Sequence, residues 1–236
     1  MEGMDRARSG TAVALSRAWE LALHMLFPVG CAVCERIGTV LCDECLSSIV
    51  RPVPDVCLTC GSPHPCATHP DAPPVRAASI YGGGMSRAIL ALKYRGMRAV
   101  GRRLGVGMAH AMERPRVDAL VPVPLHLGST RGYDQAQEIA LGLGRVWEIP
   151  VADLAEWSLM VPSRTGMGRA QRLALPEDVF RVDPAARGLR VAVVDDVRTT
   201  GTTLLRLASA LGGAGARVCG AYVAARTGGD DVSVIS

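Results

Sequence analysis

The stretch from Val191 to Leu204 constrains the fold of this chain most strongly, because it joins an apolar run to a helical pattern through a polar turn. Four apolar residues, 191–194, precede two carboxylates and a turn rich in hydroxyl groups. A short apolar run bounded by such a turn is typical of a buried strand in a parallel sheet. The strand is predicted at Arg190–Val194, and the helix is predicted to begin at about Thr202.

The polar turn itself predicts a phosphate site. Backbone N–H groups at a helix N-terminus bind anions, and hydroxyl groups add further donors. Asp195 and Asp196 could accept hydrogen bonds from the vicinal hydroxyls of a sugar attached to that phosphate. An ordinary helix cap is the alternative, but a cap needs only one hydroxyl residue. The residues expected to bind phosphate are Thr199, Thr200, Gly201, Thr202 and Thr203.

Strand and helix patterns alternate from about Val75 onward, which indicates an α/β fold with a parallel sheet flanked by helices. Other predicted strands include Ala77–Tyr81 and a segment near Val151–Leu154. Cys219 is expected to be a buried apolar thiol. Four regions are predicted: an N-terminal amphipathic helix (1–28), a cysteine-rich module with a proline-rich linker (29–74), the α/β domain (75–228) and a tail (229–236).

The N-terminal segment Thr11–Phe27 is the nearest approach to a targeting signal, but charged and polar residues interrupt its apolar run. Its apolar residues recur with helical spacing, so an amphipathic helix is expected. No apolar run approaches the roughly 20 residues that a membrane span needs. We therefore expect a cytoplasmic protein that is not an integral membrane protein.

Seven of the eight cysteines lie between residues 31 and 66, mostly as Cys-x-x-Cys pairs. Two such pairs can complete a tetrahedron around zinc. Disulfides are the alternative, although cytoplasmic thiols stay reduced. One structural zinc is expected on Cys31, Cys34, Cys42 and Cys45, and a possible second zinc on Cys57, Cys60, Cys66 and His69.

The spacing of the cysteines leaves the ligand sets open in two respects. The first Cys-x-x-Cys pair could instead join the third, and His64 could replace His69. Every one of these ligand sets gives zinc four protein ligands and no open coordination position, which is typical of structural rather than catalytic zinc.

Several motifs along the chain together resemble the ComF family of competence proteins. They are a leading helix that ends Leu-Phe-Pro, the cysteine pairs, Ala-Leu-Lys-Tyr-Arg-Gly, Val-Pro-Val-Pro-Leu-His, Arg-Gly-Tyr-Asp-Gln-Ala, and the signature around residues 191–204. The last motif resembles the phosphoribosyl pyrophosphate (PRPP) signature of type I phosphoribosyltransferases. At Asp134 the family usually has Asn.

The resemblance implies a type I phosphoribosyltransferase-like domain with a small N-terminal cysteine-rich zinc module. It implies that Asp195 and Asp196 hold ribose hydroxyls, that the threonine-rich turn holds the 5′-phosphate, and that Mg²⁺ accompanies PRPP. Lys93, Arg131 and Gly132 are expected near the pyrophosphate or the acceptor substrate. The implied reaction is phosphoribosyl transfer to an unidentified acceptor, in a protein linked to DNA uptake during natural transformation.

Basic residues concentrate between Arg87 and Arg116, and this patch could meet pyrophosphate, single-stranded DNA or only water. Lys93 is the only lysine among 26 basic residues, as expected if a point charge is needed there. Two alternative functions therefore stay open. One is a non-catalytic competence factor that binds single-stranded DNA and a translocase partner, and the other is a PRPP or nucleotide sensor.

Overall fold

The computed structural model describes residues 29–126, 129, 132–158, 175–176 and 178–228 of the chain. The predicted amphipathic helix, the predicted tail and Arg131 lie outside the described residues. The strands, in chain order, are β1 (Val53–Cys57), β2 (Pro74–Ala77), β3 (Ala119–Pro122), β4 (Ala155–Trp157), β5 (Phe180–Val182), β6 (Arg190–Arg198) and β7 (Arg217–Arg226). The helices are α1 (Asp43–Ile49), α2 (Gly83–Tyr94), α3 (Arg98–Ala111), α4 (Gln135–Trp147) and α5 (Thr202–Gly213).

Five strands form a mainly parallel sheet in the order β1-β2-β7-β6-β3. Strands β2, β7, β6 and β3 are parallel, and β1 runs antiparallel to β2 at one edge. Residues 191–194 of the interior strand β6 are fully buried, since side chains cover both faces of the sheet. The predicted α/β fold with a mainly parallel sheet is confirmed.

Two apolar layers cover the sheet. One packs residues of α1, α2, α3 and α4 against it, and the other packs α5 and the antiparallel β4–β5 pair. Strand β1 lies within the segment predicted to form the cysteine-rich module, and it pairs with β2. The cysteine-rich segment therefore adds a strand to the same sheet that carries the polar turn.

Helices α3 and α4 touch through their backbones at glycines. A Cβ atom built on Gly105 would lie 2.1 Å from the carbonyl oxygen of Ile139, and one built on Gly142 would lie 2.3 Å from the carbonyl oxygen of Arg102. Only residues without a side chain allow this approach. The contact places the N-terminus of α4 beside α2 and the C-terminal end of β6.

Several strand boundaries differ from the prediction. Strand β2 begins at Pro74, which is tolerated as a first strand residue, and the segment near Val151 forms only one parallel bridge with Leu120. Strand β6 continues beyond Val194 to Arg198 because its pairing with β7 persists that far.

The prediction that Cys219 is a buried thiol is wrong, because the residue is partly exposed. Val191 pairs with Val218 and Ala192 pairs with Gly220, so Cys219 is the extra residue of a β-bulge. A bulge leaves one residue unpaired and turns its side chain away from the regular alternation.

Candidate functional site

A cavity opens where β6 ends and α5 begins. It is lined by Asp195, Val197, Arg198 and residues 199–204. Ligands of open parallel sheets bind outside the carboxyl ends of the strands, which is the position of this cavity. The structure therefore brings all five residues of the predicted phosphate turn to one cavity wall.

Gly201 makes the turn possible. Its φ angle of +81° lies in the left-handed region, and a Cβ atom built there would lie 2.9 Å from Nε of Arg198. Any side chain would therefore be both strained and crowded. The residue allows α5 to begin at Thr202 directly beside the cavity.

The hydroxyl group of Thr200 forms only a weak cap on α5. The N–H of Thr202 donates to Oγ1 of Thr200 at 3.4 Å, which is a long hydrogen bond, and the two hydroxyl oxygens lie 3.0 Å apart. The first N–H groups of any helix lack partners inside the helix. This geometry suits an anion better than it suits a closed helix cap.

The two adjacent acids of β6 have different partners. The carboxylate of Asp195 accepts a hydrogen bond from the N–H of Asp196 at 2.8 Å. Oδ2 of Asp196 lies 2.8 Å from Nζ of Lys93, and both side chains are largely buried. Burial, reinforced by the charge of Asp196, raises the pKa of Asp195 to about 8, although Lys93 acts in the opposite direction.

A third acid, Asp134, completes this carboxylate cluster. Its side chain accepts hydrogen bonds from the N–H groups of Ala136 and Gln137, so it caps α4. Burial raises its pKa to about 6, and the negative charge of Asp196 adds to the shift. In the sequence, an aspartate before a helical pattern signals only a cap. Its contribution to the site was therefore missed.

Lys93 is held near the acids by a contact between α2 and the loop before α4. The hydroxyl of Tyr133 in that loop donates a hydrogen bond to the carbonyl oxygen of Leu92. Gly132 is exposed next to Tyr133, whereas Arg131 lies outside the described residues. The expected contacts of Lys93, Arg131 and Gly132 with pyrophosphate or the acceptor stay a prediction.

The first and second cysteine pairs converge. The ligand atoms of Cys31, Cys34, Cys42 and Cys45 all lie within 4.8 Å of one another. Sγ of Cys42 lies 3.8 Å from Sγ of Cys31 and 3.7 Å from Sγ of Cys34. Tetrahedral zinc with Zn–S bonds of about 2.3 Å would place its sulfurs at about 3.8 Å, so these residues fit zinc.

The third cysteine pair converges with Cys66 and His69, which we call the second cysteine group. Sγ of Cys66 lies 3.5 Å from Sγ of Cys60 and 3.7 Å from Nδ1 of His69. Side-chain and backbone hydrogen bonds from Ser62 lower the pKa of Cys60 to about 6, which favours the metal-binding thiolate. Two Cys/His groups can therefore hold zinc, and the structure selects His69 rather than His64.

Three arginines of the basic patch form ion pairs with carboxylates of the protein itself. Arg98 and Arg102 lie 2.7 and 2.6 Å from the carboxylate of Glu138, whose side chain is only 2% exposed. Arg103 lies 2.6 Å from Asp43. These ion pairs join α3 to α4 and α1, so charge reversal at these arginines would disturb helix contacts as well as any nucleic-acid surface.

Among the described residues, no helix is both long and apolar enough to cross a membrane.

No protein-family model matches the chain, and no curated protein matches it. Two solved structures are similar over 54% of the chain: the allosteric regulatory enzyme of purine biosynthesis (22% identity, TM-score 0.40) and glutamine PRPP amidotransferase from B. subtilis complexed with ADP and GMP (21% identity, TM-score 0.35). The chain covers 26% of each of those proteins.

Proposed function

We propose that the protein binds PRPP and transfers its phosphoribosyl group to a nitrogen of an acceptor molecule, as a member of the ComF family. One observation carries this proposal: Asp195 and the whole 199–203 turn line one cavity at the carboxyl end of β6. A sugar phosphate matches this combination, because its phosphate needs N–H and hydroxyl donors while its ring hydroxyls need carboxylate acceptors.

In the proposed complex the 5′-phosphate lies against the turn at the N-terminus of α5. The ribose hydroxyls lie at Asp195 and Asp196, next to the ammonium group of Lys93. Lys93 then balances the negative charge that the acids and the ligand bring together. Asp134 fixes the start of α4 beside this position and holds the neighbouring loop near the site.

In this proposal, Mg²⁺ binds together with PRPP. Within the described residues, the only convergent groups of three or more potential metal ligands are the two Cys/His groups. The acids therefore supply at most part of a magnesium shell, and oxygen atoms of PRPP have to supply the rest. When bound, Mg²⁺ would neutralise charge on the departing pyrophosphate.

The proposed reaction exchanges one bond at the anomeric carbon. The bond from C1 to the pyrophosphate oxygen breaks, and pyrophosphate leaves with the electron pair. The acceptor nitrogen forms the new bond to C1 and releases a proton to solvent. Positive charge develops on the ribose ring during this step, and the preorganised carboxylates of β6 stabilise it.

A titration with PRPP and Mg²⁺ tests the proposal. Wild type should bind, and Asp195→Asn and Asp196→Asn should each weaken binding at least about tenfold, equivalent to about 1.4 kcal/mol. Asp153→Asn, which removes the same charge at an exposed position, is the matched control. A wild-type protein that does not bind PRPP would refute the proposal. Pyrophosphate release with candidate bases then separates an enzyme from a PRPP sensor.

A competence role with single-stranded DNA is a second candidate. Tyr94, the last residue of α2, is 60% exposed; exposed Arg95 follows it, and exposed Arg87 lies about two turns earlier in the same helix. An aromatic ring beside arginines can stack a base and contact the backbone of a single strand. A translocase partner for DNA uptake belongs to the same proposal.

The DNA proposal is tested with the arginines that flank Tyr94. Arg87→Glu with Arg95→Glu should weaken binding of single-stranded DNA and reduce its dependence on salt. Arg187→Glu with Arg217→Glu is the matched control, because both residues are exposed near the amino ends of β6 and β7. Equal affinity of the two double variants would exclude the surface around Tyr94.

A further inference from the structure

Arg198, the last residue of β6, is a buried cation that forms no ion pair with a carboxylate of the described part of the chain. It is 9% exposed, and within the described residues its Nε atom has no hydrogen-bond partner. Its neighbour on β7, Arg226, also has a buried Nε atom that lacks a partner there. Because burying an unpaired charge is strongly unfavourable, this pair of guanidinium groups requires a nearby anion.

The guanidinium group of Arg198 lies between two loops. A Cβ atom built on Gly201, in the phosphate turn, would lie 2.9 Å from its Nε atom. A Cβ atom built on Gly61 would lie 2.6 Å from its Nη2 atom. Gly61 directly follows Cys60, and its N–H donates to the carbonyl oxygen of Cys57 at 2.9 Å. One side chain therefore touches the phosphate turn and the second cysteine group's loop.

The second cysteine group can supply the missing anion. The Nη2 atom of Arg198 lies against Gly61, which directly follows Cys60 and is hydrogen-bonded to Cys57, so the guanidinium group borders the loop that carries two of the proposed ligands. Three thiolates and a neutral imidazole around Zn²⁺ carry a net negative charge. Groups that contact metal ligands from outside commonly orient those ligands and tune metal affinity.

We propose that Arg198 is a positioning residue that couples metal binding at the second cysteine group to phosphate binding at the 199–203 turn. The phosphate half of this inference rests on the proposed function, and the metal half does not. A loaded metal group holds the guanidinium in place, and the guanidinium supports the turn from behind Gly201. Loss of the metal leaves Arg198 without a counter-ion and loosens the turn.

The first cysteine group, Cys31, Cys34, Cys42 and Cys45, provides the contrast. Its segment contacts α3, where Arg103 donates hydrogen bonds to the carbonyl oxygen of Leu41 and to Asp43. Among the described residues, no contact of this kind links it to the 199–203 turn. Metal loss from the second cysteine group should therefore weaken phosphate binding more than metal loss from the first.

The metal half is tested by zinc release to a chromophoric chelator, without PRPP. In Arg198→Met, one of the two zinc equivalents should be released about tenfold faster than in wild type. Arg198→Lys, which keeps the charge, should show a smaller change. Arg187→Met is the control, since Arg187 is exposed. Identical release of both equivalents in Arg198→Met and wild type would overturn the link to the metal.

The phosphate half is tested with Cys34→Ser and Cys60→Ser, which remove the exposed cysteine of each group. The PRPP affinity of Cys60→Ser should be at least about fivefold lower than that of Cys34→Ser. Coupling is reciprocal, so PRPP should also slow release of one zinc equivalent from wild type, which needs no variant to fold. The coupling would be overturned if Cys60→Ser and Cys34→Ser lost PRPP affinity equally. It would also be overturned if PRPP left the rate of zinc release from wild type unchanged.

The experiments give a different set of results if the proposed function itself is wrong. A wild-type protein that does not bind PRPP would refute that function and the coupling together. The zinc-release comparison between Arg198→Met and wild type would still decide whether Arg198 supports the metal group.

Discussion

Nζ of Lys93 lies 2.8 Å from Oδ2 of Asp196, so the only lysine of the chain is the counter-ion of an acid at the proposed ribose site. Helix α2 supplies the lysine and strand β6 supplies the acid, which makes the pair a tertiary contact between distant segments. The same lysine lowers the pKa of the neighbouring Asp195, whereas burial raises it. Lys93 therefore favours the charged form of Asp195, in opposition to burial.

Lys93→Met should shift PRPP binding to higher pH. Without the ammonium group, Asp195 holds its proton more tightly, and a protonated acid is a poorer acceptor for ribose hydroxyls. Affinity near pH 7 should fall about tenfold, which corresponds to one pKa unit, and recover partly near pH 9. Titrations across this pH range provide the measurement. Arg87→Met, which removes a positive charge from the exposed side of the same helix, should leave the pH profile unchanged.

Asp195→Asn should stabilise the fold at pH 8 while it weakens PRPP binding. The pKa of Asp195 is raised to about 8 in the folded state, above its unfolded value of roughly 4. The stabilisation by the bound proton is complete below pH 4 and is lost as the pH rises through about 8. The Asn side chain removes this loss, so the free energy of unfolding at pH 8 should rise by at least about 1 kcal/mol.

Thermal unfolding at several values between pH 6 and pH 8.5 measures this difference, with zinc present in every sample. The midpoint for wild type should fall more steeply with rising pH than the midpoint for Asp195→Asn. Asp153→Asn serves as the control for loss of an exposed carboxylate. Parallel curves for wild type and Asp195→Asn would contradict the raised pKa.

Gly105→Ala should destabilise the protein by about 3 kcal/mol or more, because its Cβ atom would overlap the Ile139 carbonyl group and force α3 away from α4. Gly212→Ala on α5 is the matched control, since a Cβ atom there meets no atom within 4 Å. Replacing this helical glycine should stabilise by roughly 0.5–1 kcal/mol. Urea unfolding of both variants gives the comparison, and equal effects would rule out the close helix contact.

Glu138→Gln should lower the free energy of unfolding by about 2–3 kcal/mol. The carboxylate is buried and pairs with two arginines, so its loss leaves Arg98 and Arg102 facing each other without a counter-ion. Glu156→Gln removes an exposed pair with Arg181 and should change stability by less than about 1 kcal/mol. Denaturant titrations compare the two, and a Glu138→Gln protein as stable as wild type would contradict this role.

Cys31→Ser should reduce bound zinc from two equivalents to one and lower the thermal midpoint. Structural zinc binding contributes on the order of 10 kcal/mol to small zinc domains, so partial loss costs several kcal/mol. Elemental analysis and thermal unfolding test both effects. Cys219→Ser is the matched control, because that thiol is partly exposed and lies outside both groups. A folded Cys31→Ser protein that keeps two zinc ions would refute the assigned ligands.

The predicted phosphate turn illustrates how much of a site local sequence can determine. Residues 191–203 form one continuous strand, turn and helix start, so their mutual geometry depends on backbone preferences over a few residues. Gly201 in the left-handed region is part of that local pattern. The metal groups are similar, because Cys-x-x-Cys spacing brings both sulfurs of one pair to the same side.

The surroundings of the turn depend on contacts between distant segments. Asp134 is an ordinary helix cap in the sequence, and it joins the acids only because α4 starts beside β6. Spacing could not choose between alternative cysteine pairings, since several loops of similar length can close around one ion. Arginines 98, 102 and 103 formed a basic run in the sequence, but folding pairs them with carboxylates on other helices.

The sequence by itself determined the α/β class, the strand, turn and helix start of residues 191–203, and which cysteines could bind metal, because each depends on short-range periodicity or spacing. Only the tertiary structure decided that Lys93 pairs with Asp196, that His69 completes the second cysteine group, and that Arg198 lies between that group and the turn. Those relationships join side chains far apart in the chain. Their charges and distances exist only once the sheet and its helices have packed.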